Sequence, residues 1–374
     1  MKKVAVNTRF LLKDKLEGIG WFTHEILKRL VLSHPEIEFH FLFDRAYDES
    51  FIYADNVIPH VLFPPARHPF LWYWWFEYSV SNVLIKINPD VFLSTDGYAC
   101  LSTDIPQNTV IHDLAFEHYP KDLDYLKRKY YTYYTPKFAN KATRITTVSE
   151  FTKSDIVDKY QIDANKIDVV YNGINTKYTP LSLNEIKGIR ETYSDGEPYF
   201  LFIGALHPRK NIVRLLKAFD KLKALGYPHK MLLVGRMGWG TDEISQTFDE
   251  LKHKEDIIRT GRLSETELAK VLGAAFAMTY VPYLEGFGIP IIEAQTVGVP
   301  VITSDCTSMP EVAGKGSAVL VNPFDVDSIY KGMKRLVEDK GFYQKIKHLG
   351  LDNVKRFSWN KTADLLWSSL LKTV

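Results

Sequence analysis

The sequence predicts an α/β protein that contains two successive, mainly parallel sheets, one in each half of the chain. Short apolar runs alternate with stretches whose apolar residues keep helical spacing, as Phe22, Ile26 and Leu30 do. This alternation is typical of parallel strands that are joined by right-handed helical crossovers. It is interrupted once, at 171–198, and the length of 374 residues suits two domains of ordinary size.

The strand candidates are divided almost evenly between the two halves of the chain. In the first half they are Lys3–Asn7, Glu38–Phe43, Val57–Phe63, Val91–Ser94, Thr109–His112, Arg144–Val148 and Asp168–Tyr171. In the second half they are Tyr199–Ile203, Lys230–Val234, Asp256–Thr260, Ala275–Val281, Val299–Thr303 and Ala318–Val321. The interruption contains Asn172-Gly173, Pro180 and a predicted helix at 183–193, and 342–373 is predicted to be helical. We therefore expect segments with the boundaries 1–178, 179–355 and 356–374.

The composition excludes several classes of protein. The net charge of +2 argues against a nucleic-acid-binding protein that relies on counterion release. Cys100 and Cys306 are the only cysteines, so they exclude a disulfide framework and a cysteine-rich zinc site, and they suit a reducing cytosol. The N-terminus MKKVAVNTRF lacks the apolar region of a signal peptide, and no run of about 18 apolar residues predicts a membrane span. We therefore expect a cytoplasmic protein.

The stretch EGFGIPIIE, from Glu285 to Glu293, is the strongest candidate for a functional site. It follows the apolar run AAFAMTYVPY, which predicts a buried parallel strand with Glu285 at its carboxyl end. Gly286, Phe287 and Gly288 form a tight turn before a helix that contains Glu293. Ligands bind at the carboxyl ends of the strands in open α/β sheets, and a helix N-terminus offers N–H groups to an anion. A carboxylate at this place can accept hydrogen bonds from hydroxyl groups, such as those of a sugar.

Two glutamates eight positions apart, with glycine and proline between them, match the Glu-x7-Glu signature of retaining glycosyltransferases. The pair alone carries little weight because glutamate is common and often exposed. With its strand–turn–helix context, the block resembles glycosyltransferase family 4, and the resemblance is most specific from Phe202 to Glu293. It implies the GT-B fold, in which two Rossmann-like domains face each other across a cleft and a C-terminal helix crosses back to the first domain. It also implies that Glu285 contacts the transferred sugar and that Glu293 binds the ribose of a nucleotide.

The stretch FIGALHPRKNIVRLLKAF contains two cations that suit a diphosphate. Arg209 and Lys210 lie just before a predicted helix, where positive charge and free N–H groups act together on an anion. The resemblance covers Lys210-Asn211, which matches the family motif after this strand. Many family members also carry arginine at the position of Ala205, so Arg209 is the only candidate for a second cation.

Two loops of the second half complete the predicted donor site. Gly235 closes the strand MLLVG and is a candidate for donor binding. Ser264 and Glu267 predict a capped helix after the turn Gly261-Arg262-Leu263. The resemblance implies that this turn lies over the nucleobase, with the backbone of Leu263 in contact with it.

The first half contributes a histidine and a glycine-rich loop. His112 follows the strand TVI, and the family commonly has a histidine here, near the transferred sugar, so the resemblance implies a catalytic role. The stretch NTRFLLKDKLEGIGWF resembles the loop that faces the diphosphate and the acceptor in family members that build bacterial polysaccharides. Gly20 is therefore a donor-binding candidate, and Arg9 and Gly18 are acceptor-side candidates.

Two further segments are better explained as helix caps than as catalytic or metal sites. Ser149, in TTVSEFTKSDI, is a natural N-cap, since no Gly-x-Ser-x-Gly elbow surrounds it. A similar segment lines the cleft in family members, which makes Ser149 and Lys153 acceptor-side candidates. Asp325 and Asp327 lie in a loop that caps a helix, and the resemblance implies catalysis without a bound metal or another cofactor.

Aromatic residues are clustered at two places, FLWYWWF (70–76) and KRKYYTYY (127–134). One interpretation is two amphipathic helices whose rings lie in a core. The other is a peripheral membrane face, with Trp and Tyr at the level of the lipid headgroups and Lys and Arg near anionic lipid. The sequence leaves both interpretations open.

These observations predict a retaining glycosyltransferase that moves a hexose from a nucleotide sugar to a glycan or a lipid-linked acceptor. The motifs ALHPRKN and LEGFGIP are most similar to bacterial mannosyl- and hexosyltransferases of O-antigen or capsule assembly. This similarity implies GDP-mannose as the first donor and a UDP-hexose as the second. Two alternatives stay open: an epimerase or hydrolase of sugar nucleotides with the GT-B fold, and a non-catalytic partner subunit that binds a sugar nucleotide.

Overall fold

The computed structural model describes residues 1–13, 15–175, 177–238 and 242–374, and the chain divides into two compact units. The first unit comprises Met1–Gly173 and Phe357–Val374, and the second comprises Ile174–Arg356. The division observed between Gly173 and Ile174 therefore lies shortly before the predicted domain boundary, which follows residue 178.

The first unit contains a parallel sheet that is covered by helices, and most of these helices come from the first half of the chain. Its strands are β1 (Lys3–Asn7), β2 (Glu38–Phe43), β3 (Val57–Val61), β4 (Val91–Ser94), β5 (Gln107–Ile111), β6 (Arg144–Thr147) and β7 (Ile167–Val169). Its helices before the division are α1 (Gly18–Ser33), α2 (Pro69–Trp74), α3 (Ser81–Ile87), α4 (Ala115–His118), α5 (Tyr125–Lys141) and α6 (Glu150–Tyr160). A π-helical stretch, Trp75–Val80, joins α2 to α3. Among the described residues the strand order is β3-β2-β1-β4-β5-β6-β7, and every neighbouring pair is parallel.

The second unit repeats this architecture. Its strands are β8 (Tyr199–Ile203), β9 (Lys230–Val234), β10 (Ile257–Gly261), β11 (Ala277–Tyr280), β12 (Val301–Ser304) and β13 (Val319–Val321). Its helices are α7 (Leu183–Ser194), α8 (Ile212–Lys223), α9 (Asp242–Glu250), α10 (Glu265–Gly273), α11 (Ile289–Thr296), α12 (Met309–Ala313), α13 (Val326–Glu338) and α14 (Lys340–Asn353). The strands of the described chain are ordered β10-β9-β8-β11-β12-β13, again all parallel.

The last helix, α15 (Trp359–Leu371), belongs to the first unit. The Asn108 amide of β5 donates to Ser369 Oγ at 2.8 Å, and Ser369 Oγ donates to Asp168 Oδ2 of β7 at 2.7 Å. Thr362 Oγ1 donates to the carbonyl of Tyr171 at 2.7 Å. These polar contacts fix α15 on residues that lie 191 to 261 positions earlier in the chain.

The central strands of both sheets are buried on their two faces, as parallel strands covered by helices require. Val4, Ala5 and Val6 of β1 are completely buried, and so are Phe200 and Leu201 of β8. The strand order of each sheet reverses at one place, between β1 and β4 and between β8 and β11. Loops diverge at such a point, so the carboxyl ends of these strands are where a ligand is expected.

Most of the predicted strands are confirmed, and the main difference is instructive. The strand predicted at Thr109–His112 runs from Gln107 to Ile111 instead. Its first two residues, Gln107 and Asn108, are polar but buried, and their side-chain amides form hydrogen bonds. A search for apolar runs does not detect such residues. The Gln107 side chain bonds both the N–H and the carbonyl of Cys100, at 2.8 and 2.7 Å. The predicted helical tail is two helices, α14 and α15, separated by a short 3-10 turn at Val354–Arg356.

The aromatic stretch 70–76 divides between the core and the surface. Trp72, Trp75 and Phe76 are buried, whereas Phe70 and Trp74 are exposed. In the described residues no helix is both long enough and apolar enough to cross a bilayer.

Candidate active site

The strand ends at the point of reversal in the second unit bring two cations and a carboxylate together. Lys210, after β8, forms an ion pair with Glu285, after β11. The Lys210 ammonium also donates to the hydroxyl of Tyr280 at 2.7 Å, and Arg209 Nε lies 4.0 Å from Glu285 Oε1. The side chains of Lys210 and Glu285 are only 15% and 13% exposed. Three residues that the sequence analysis singled out in two separate stretches therefore form a compact, largely desolvated group in the structure.

Asn211 joins the two strand ends that carry these charges. It has a left-handed backbone with φ of 61° and lies at the start of α8. Its buried amide donates to the carbonyls of Val281, at 3.0 Å, and of Pro323, at 2.7 Å. Tyr283 N–H also donates to the carbonyl of Arg209 at 3.1 Å. Asparagine suits this position because it tolerates a left-handed backbone and has an amide that can donate twice.

The turn after Glu285 is held by a buried serine and by the conformational freedom of one glycine. Ser308 Oγ donates to the carbonyl of Glu285 at 2.7 Å. Gly288 has φ of 93°, and a Cβ there would lie 2.8 Å from the methyl group of Met309. Only glycine therefore fits before Ile289, where α11 begins with its N–H groups directed toward the turn. The sequence prediction of a tight turn that leads into a helix is confirmed.

The ion pair decides the charge state of both partners. Burial alone would raise the pKa of Glu285, but the nearby charges of Lys210 and Arg209 outweigh it and the pKa is lowered. Burial alone would lower the pKa of Lys210, but the Glu285 carboxylate outweighs it and the pKa is raised. Both groups are therefore charged at neutral pH. Burial and then the charge of Glu285 raise the pKa of Tyr280 to about 12, so its hydroxyl stays protonated.

Glu293 lies on α11 and has a different environment. Burial raises its pKa to about 7, and a hydrogen bond from the Tyr178 hydroxyl only partly offsets this. Tyr178 itself is buried, with 8% exposed. A carboxylate that is half-buried and accepts a hydrogen bond from a phenol can accept further hydrogen bonds, such as those from the hydroxyl groups of a ribose.

We expect Glu293 to make the stability of the protein depend on pH in the neutral range. Its pKa is higher in the folded protein than the ordinary value of 4.5, so its contribution is fully present below about pH 4.5. The contribution is lost as the pH rises through about 7, at a cost of up to about 3 kcal/mol. The Glu293→Gln variant should therefore melt at a higher temperature than the wild type at pH 8 and at a similar temperature at pH 5.

Thermal melting across pH 5 to 8 checks this expectation, with Glu250→Gln on the exposed face of α9 as the control. Parallel curves for the wild type and Glu293→Gln would contradict the assigned burial of this carboxyl.

The loops after β8, β9 and β10 are also in contact. Gly235 N–H donates to the carbonyl of Gly261 at 2.9 Å, and a Cβ at Gly235 would lie 1.9 Å from the carbonyl oxygen of Gly204. Leu263 follows in the β10–α10 loop, directly before Ser264, whose hydroxyl forms the predicted capping box with Glu267. The caps are confirmed, while the assignment of Gly235 and Leu263 to the donor stays a prediction.

In the first unit, Arg9 has a buried structural environment. Its guanidinium forms an ion pair with Asp96 and lies 4.1 Å from the ring centroid of Tyr98. Asp96 also accepts from the amide of Asn7 at 2.9 Å. The side chain of Arg9 is only 6% exposed, so its position favours a role in joining the ends of β1 and β4 over the predicted contact with an acceptor.

His112 follows β5 and is held from two sides. Its Nε2 lies 2.8 Å from the carbonyl of Thr95, which can only accept, so Nε2 carries the proton. The ring of Phe22 packs edge-on against it at 5.1 Å. Burial lowers the pKa of His112, which makes the imidazole neutral at pH 7.

The remaining candidates of the first unit lie at helix starts. Gly18 is exposed at the first position of α1, and Gly20 is buried where a Cβ would lie 2.8 Å from the carbonyl oxygen of Phe10. Ser149 is completely buried and accepts from Thr152 N–H at 3.1 Å, so the structure supports the cap and places its hydroxyl out of reach of an acceptor. Lys153 lies in the first turn of α6 and is partly buried.

The pair of Asp325 and Asp327 caps helix α13, as predicted. Asp325 accepts from Asp327 N–H at 2.9 Å at the start of α13, and Asp327 forms an ion pair with Lys221. Within the described parts of the chain, no group of three or more His, Cys, Asp or Glu residues is arranged to hold a metal ion.

Comparison with known families identifies the chain. Residues 187–350 match the family model described as glycosyl transferases group 1, and residues 16–178 match the model described as glycosyltransferase family 4. The chain is a family 4 glycosyltransferase.

Two relatives of this glycosyltransferase carry names that concern O-antigen synthesis. It is 32% identical to O-antigen chain mannosyltransferase B of Escherichia coli over 260 residues, which are 67% of this chain and 66% of the relative. It is 27% identical to O-antigen chain mannosyltransferase RfbU of Salmonella typhimurium over 331 residues, which are 85% of this chain and 87% of the relative.

Solved structures show the fold of the enzyme. HepE of Anabaena, solved in complex with UDP and glucose, superposes with a TM-score of 0.77 at 16% identity and covers 99% of each chain. The glycosyltransferase therefore has the expected α/β GT-B fold.

Sequence reasoning missed three residues that shape the site of the glycosyltransferase. Tyr280 bonds Lys210, Ser308 holds the turn at Glu285, and Tyr178 donates to Glu293. Tyr280 ends a buried apolar strand, and the phenol at this strand end was the one signal in the sequence. Ser308 and Tyr178 lie in loops, where nothing local indicates their partners.

Proposed function

We propose that this glycosyltransferase transfers mannose from GDP-mannose, with retention of configuration, to a glycan or lipid-linked acceptor in the synthesis of a bacterial surface polysaccharide. The observation that carries the proposal is the buried Lys210–Glu285 pair at the strand ends where the sheet order reverses. The names of the relatives favour mannose, whereas the UDP and glucose bound to HepE favour a UDP-hexose as the second candidate.

Each charged group has a role in the proposed reaction. As the bond between the sugar and the diphosphate breaks, negative charge grows on the phosphate oxygens. Lys210, Arg209 and the N-terminus of α11 can stabilise that charge, and they do so effectively because the site is largely desolvated. Glu285 would accept hydrogen bonds from the hydroxyl groups of the sugar, and Glu293 would accept those of the ribose.

The retaining mechanism in this proposal needs no covalent nucleophile. The acceptor hydroxyl would attack from the face that the diphosphate leaves, and the departing phosphate would take the proton of the acceptor. Neutral His112 would hold the transferred sugar through a hydrogen bond. Gly20, Gly235, Leu263, Gly286 and Phe287 remain donor-binding candidates, and no metal or other cofactor is required.

The proposed acceptor also sets where the enzyme works. A lipid-linked glycan is presented at a membrane surface, so we propose that the enzyme acts in the cytoplasm at the inner face of the membrane. Nucleic acid is not a proposed partner.

The first test is a comparison of thermal melting with GDP, UDP and ADP in parallel, without added metal. A ligand that binds only the folded protein raises its stability by about 2.7 kcal/mol at a hundredfold excess over Kd. We expect GDP to raise the melting temperature more than UDP or ADP. A larger shift with UDP would replace the mannose proposal with a UDP-hexose, and no shift with any of the three would contradict nucleotide-sugar binding.

A second measurement separates transfer from the alternative of a sugar-nucleotide epimerase or hydrolase. Free sugar released from the donor is measured with and without an acceptor glycan. A transferase forms product that depends on the acceptor, whereas an epimerase or hydrolase turns over the donor alone.

A further inference from the structure

The first unit has an exposed surface of aromatic rings that belongs to two neighbouring helical segments. We call it the aromatic face and define it by Phe70, Trp74, Tyr78, Tyr125 and Tyr133. Between 48% and 72% of each of these residues is exposed. Large aromatic side chains are normally buried, so several exposed rings on one surface indicate an interaction site for a protein or a membrane.

Ring contacts join the two segments into one surface. Trp74 packs on Tyr78 with ring centroids 4.6 Å apart, and Tyr78 contacts Tyr73 at 6.4 Å. Tyr73 contacts Tyr134 of α5 at 5.6 Å, and Tyr134 contacts Tyr133 at 4.9 Å. These contacts link the exposed rings of Trp74 and Tyr78 in the 69–80 segment to that of Tyr133 on α5.

Buried rings beneath this face fix its position. Trp72, Phe76, Tyr130 and Phe138 are buried in one apolar cluster. Trp72 Nε1 also donates to the carbonyl of Ala66 at 2.9 Å. The inner rings therefore make the core of the first interpretation, and the outer rings are presented to solvent on a rigid support.

Helix α5 adds a strongly positive charge to the same surface. Its sequence YLKRKYYTYYTPKFANK contains five cations and no acidic residue. Lys137 Nζ lies 3.6 Å from the ring centroid of Tyr133, and the guanidinium of Arg128 lies 5.6 Å from that of Tyr125. Asp124, just before the helix, caps it and pairs with Lys127 at 2.7 Å.

We propose that the aromatic face binds the headgroup layer of an anionic phospholipid bilayer, with its rings at headgroup depth and the cations of α5 near the lipid phosphates. Tyrosine and tryptophan favour this layer because their rings are apolar and their tips are polar, and each basic residue gains from the negative surface potential. The same cations disfavour a second copy of the chain as the occupant, because two such faces would repel each other. This membrane proposal rests on the proposed function in one respect: the purpose of the contact is to keep the enzyme where a lipid-linked acceptor lies.

Co-sedimentation of the full-length protein with vesicles tests the proposal. The vesicles are phosphatidylcholine alone or phosphatidylcholine mixed with phosphatidylglycerol. We expect binding to the mixed vesicles and little to phosphatidylcholine alone. Lys129→Gln with Lys137→Gln should weaken the partitioning about 25-fold, since one basic residue near an anionic surface contributes about fivefold. Trp74→Ser with Tyr78→Ser should weaken it about tenfold through lost apolar burial.

The controls are substitutions of the same kind on the second unit, at positions that are also exposed. Leu183→Ser replaces an exposed apolar residue, and Lys252→Gln with Lys345→Gln removes two exposed charges. These variants should bind the vesicles like the wild type. If the ring variant fails to fold, which its melting temperature reveals, the charge variant still decides the question.

Three results would overturn the proposal. The first is that the wild type does not sediment with anionic vesicles. The second is that the variants of the aromatic face and the control variants lose binding equally. The third is that the protein is a dimer in solution and that the ring variant is a monomer. The nucleotide melting shift is measured on the same variants and should not change. Failure of the membrane proposal is therefore distinguishable from failure of the donor proposal.

Discussion

Replacing Lys210 by methionine is expected to lower kcat/KM for the donor by about 10²–10³-fold and to destabilise the protein as well. The kinetic loss arises because the ammonium stabilises the charge that develops on the leaving diphosphate. The loss of stability, about 2–4 kcal/mol, arises because Glu285 stays buried without its main counter-charge. Donor kinetics and chemical denaturation measure the two effects separately.

A double variant separates the two roles of Lys210. In Lys210→Met with Glu285→Gln the buried carboxylate is removed along with its partner, so stability should return to within about 1 kcal/mol of the wild type. Activity should stay lost. The matched control is Lys223→Met, which breaks a similarly buried pair with Asp256 at 3.0 Å and should affect stability but not kcat/KM. Recovery of activity in the double variant would refute the proposed role of Lys210.

The second large effect is expected at Glu285. The Glu285→Gln variant should lose about 10²–10³-fold in kcat while KM for the donor changes much less, because the lost interactions are strongest in the transition state. Glu285 also orients the Lys210 ammonium, so one substitution weakens both the sugar contact and the phosphate contact.

An aspartate at the same position provides the sharper comparison. Glu285→Asp keeps the negative charge that Lys210 needs but withdraws the carboxylate by one methylene group. We expect its stability to approach that of the wild type and its kcat to remain low. If Glu285→Asp or Glu285→Gln turned over the donor at the wild-type rate, Glu285 would not contact the sugar, and the proposed site would be wrong.

The proximity of Lys210 and Glu285 could be predicted because it depends on sequence patterns close to each residue. Glu285 and Lys210 each follow an apolar strand, and the carboxyl ends of neighbouring parallel strands meet at one edge of a sheet. The direct ion pair between them was not predicted, since the sequence analysis assigned Lys210 to the diphosphate and Glu285 to the sugar.

Other features could not be predicted because they depend on partners far away in the chain. The guanidinium of Arg9 is neutralised by Asp96, which is 87 positions away and belongs to another strand. The first two residues of β5 were not predicted because Gln107 and Asn108 are polar, and their buried amides bond Cys100 and Ser369. Nothing in the sequence near Arg9 or Asn108 indicates that Asp96 or Ser369 is its partner.

The position of α15 has a consequence for how the protein is made. Strands β5 and β7 are synthesised early, yet Asn108 and Asp168 on these strands can form their hydrogen bonds to Ser369 only after α15 has been made. On the ribosome, the second unit has all of its residues before the first unit does. The part of the enzyme that is translated first is therefore the part whose native structure is completed last. Until α15 has been made, the strands that it covers stay exposed and accessible to a chaperone or a protease.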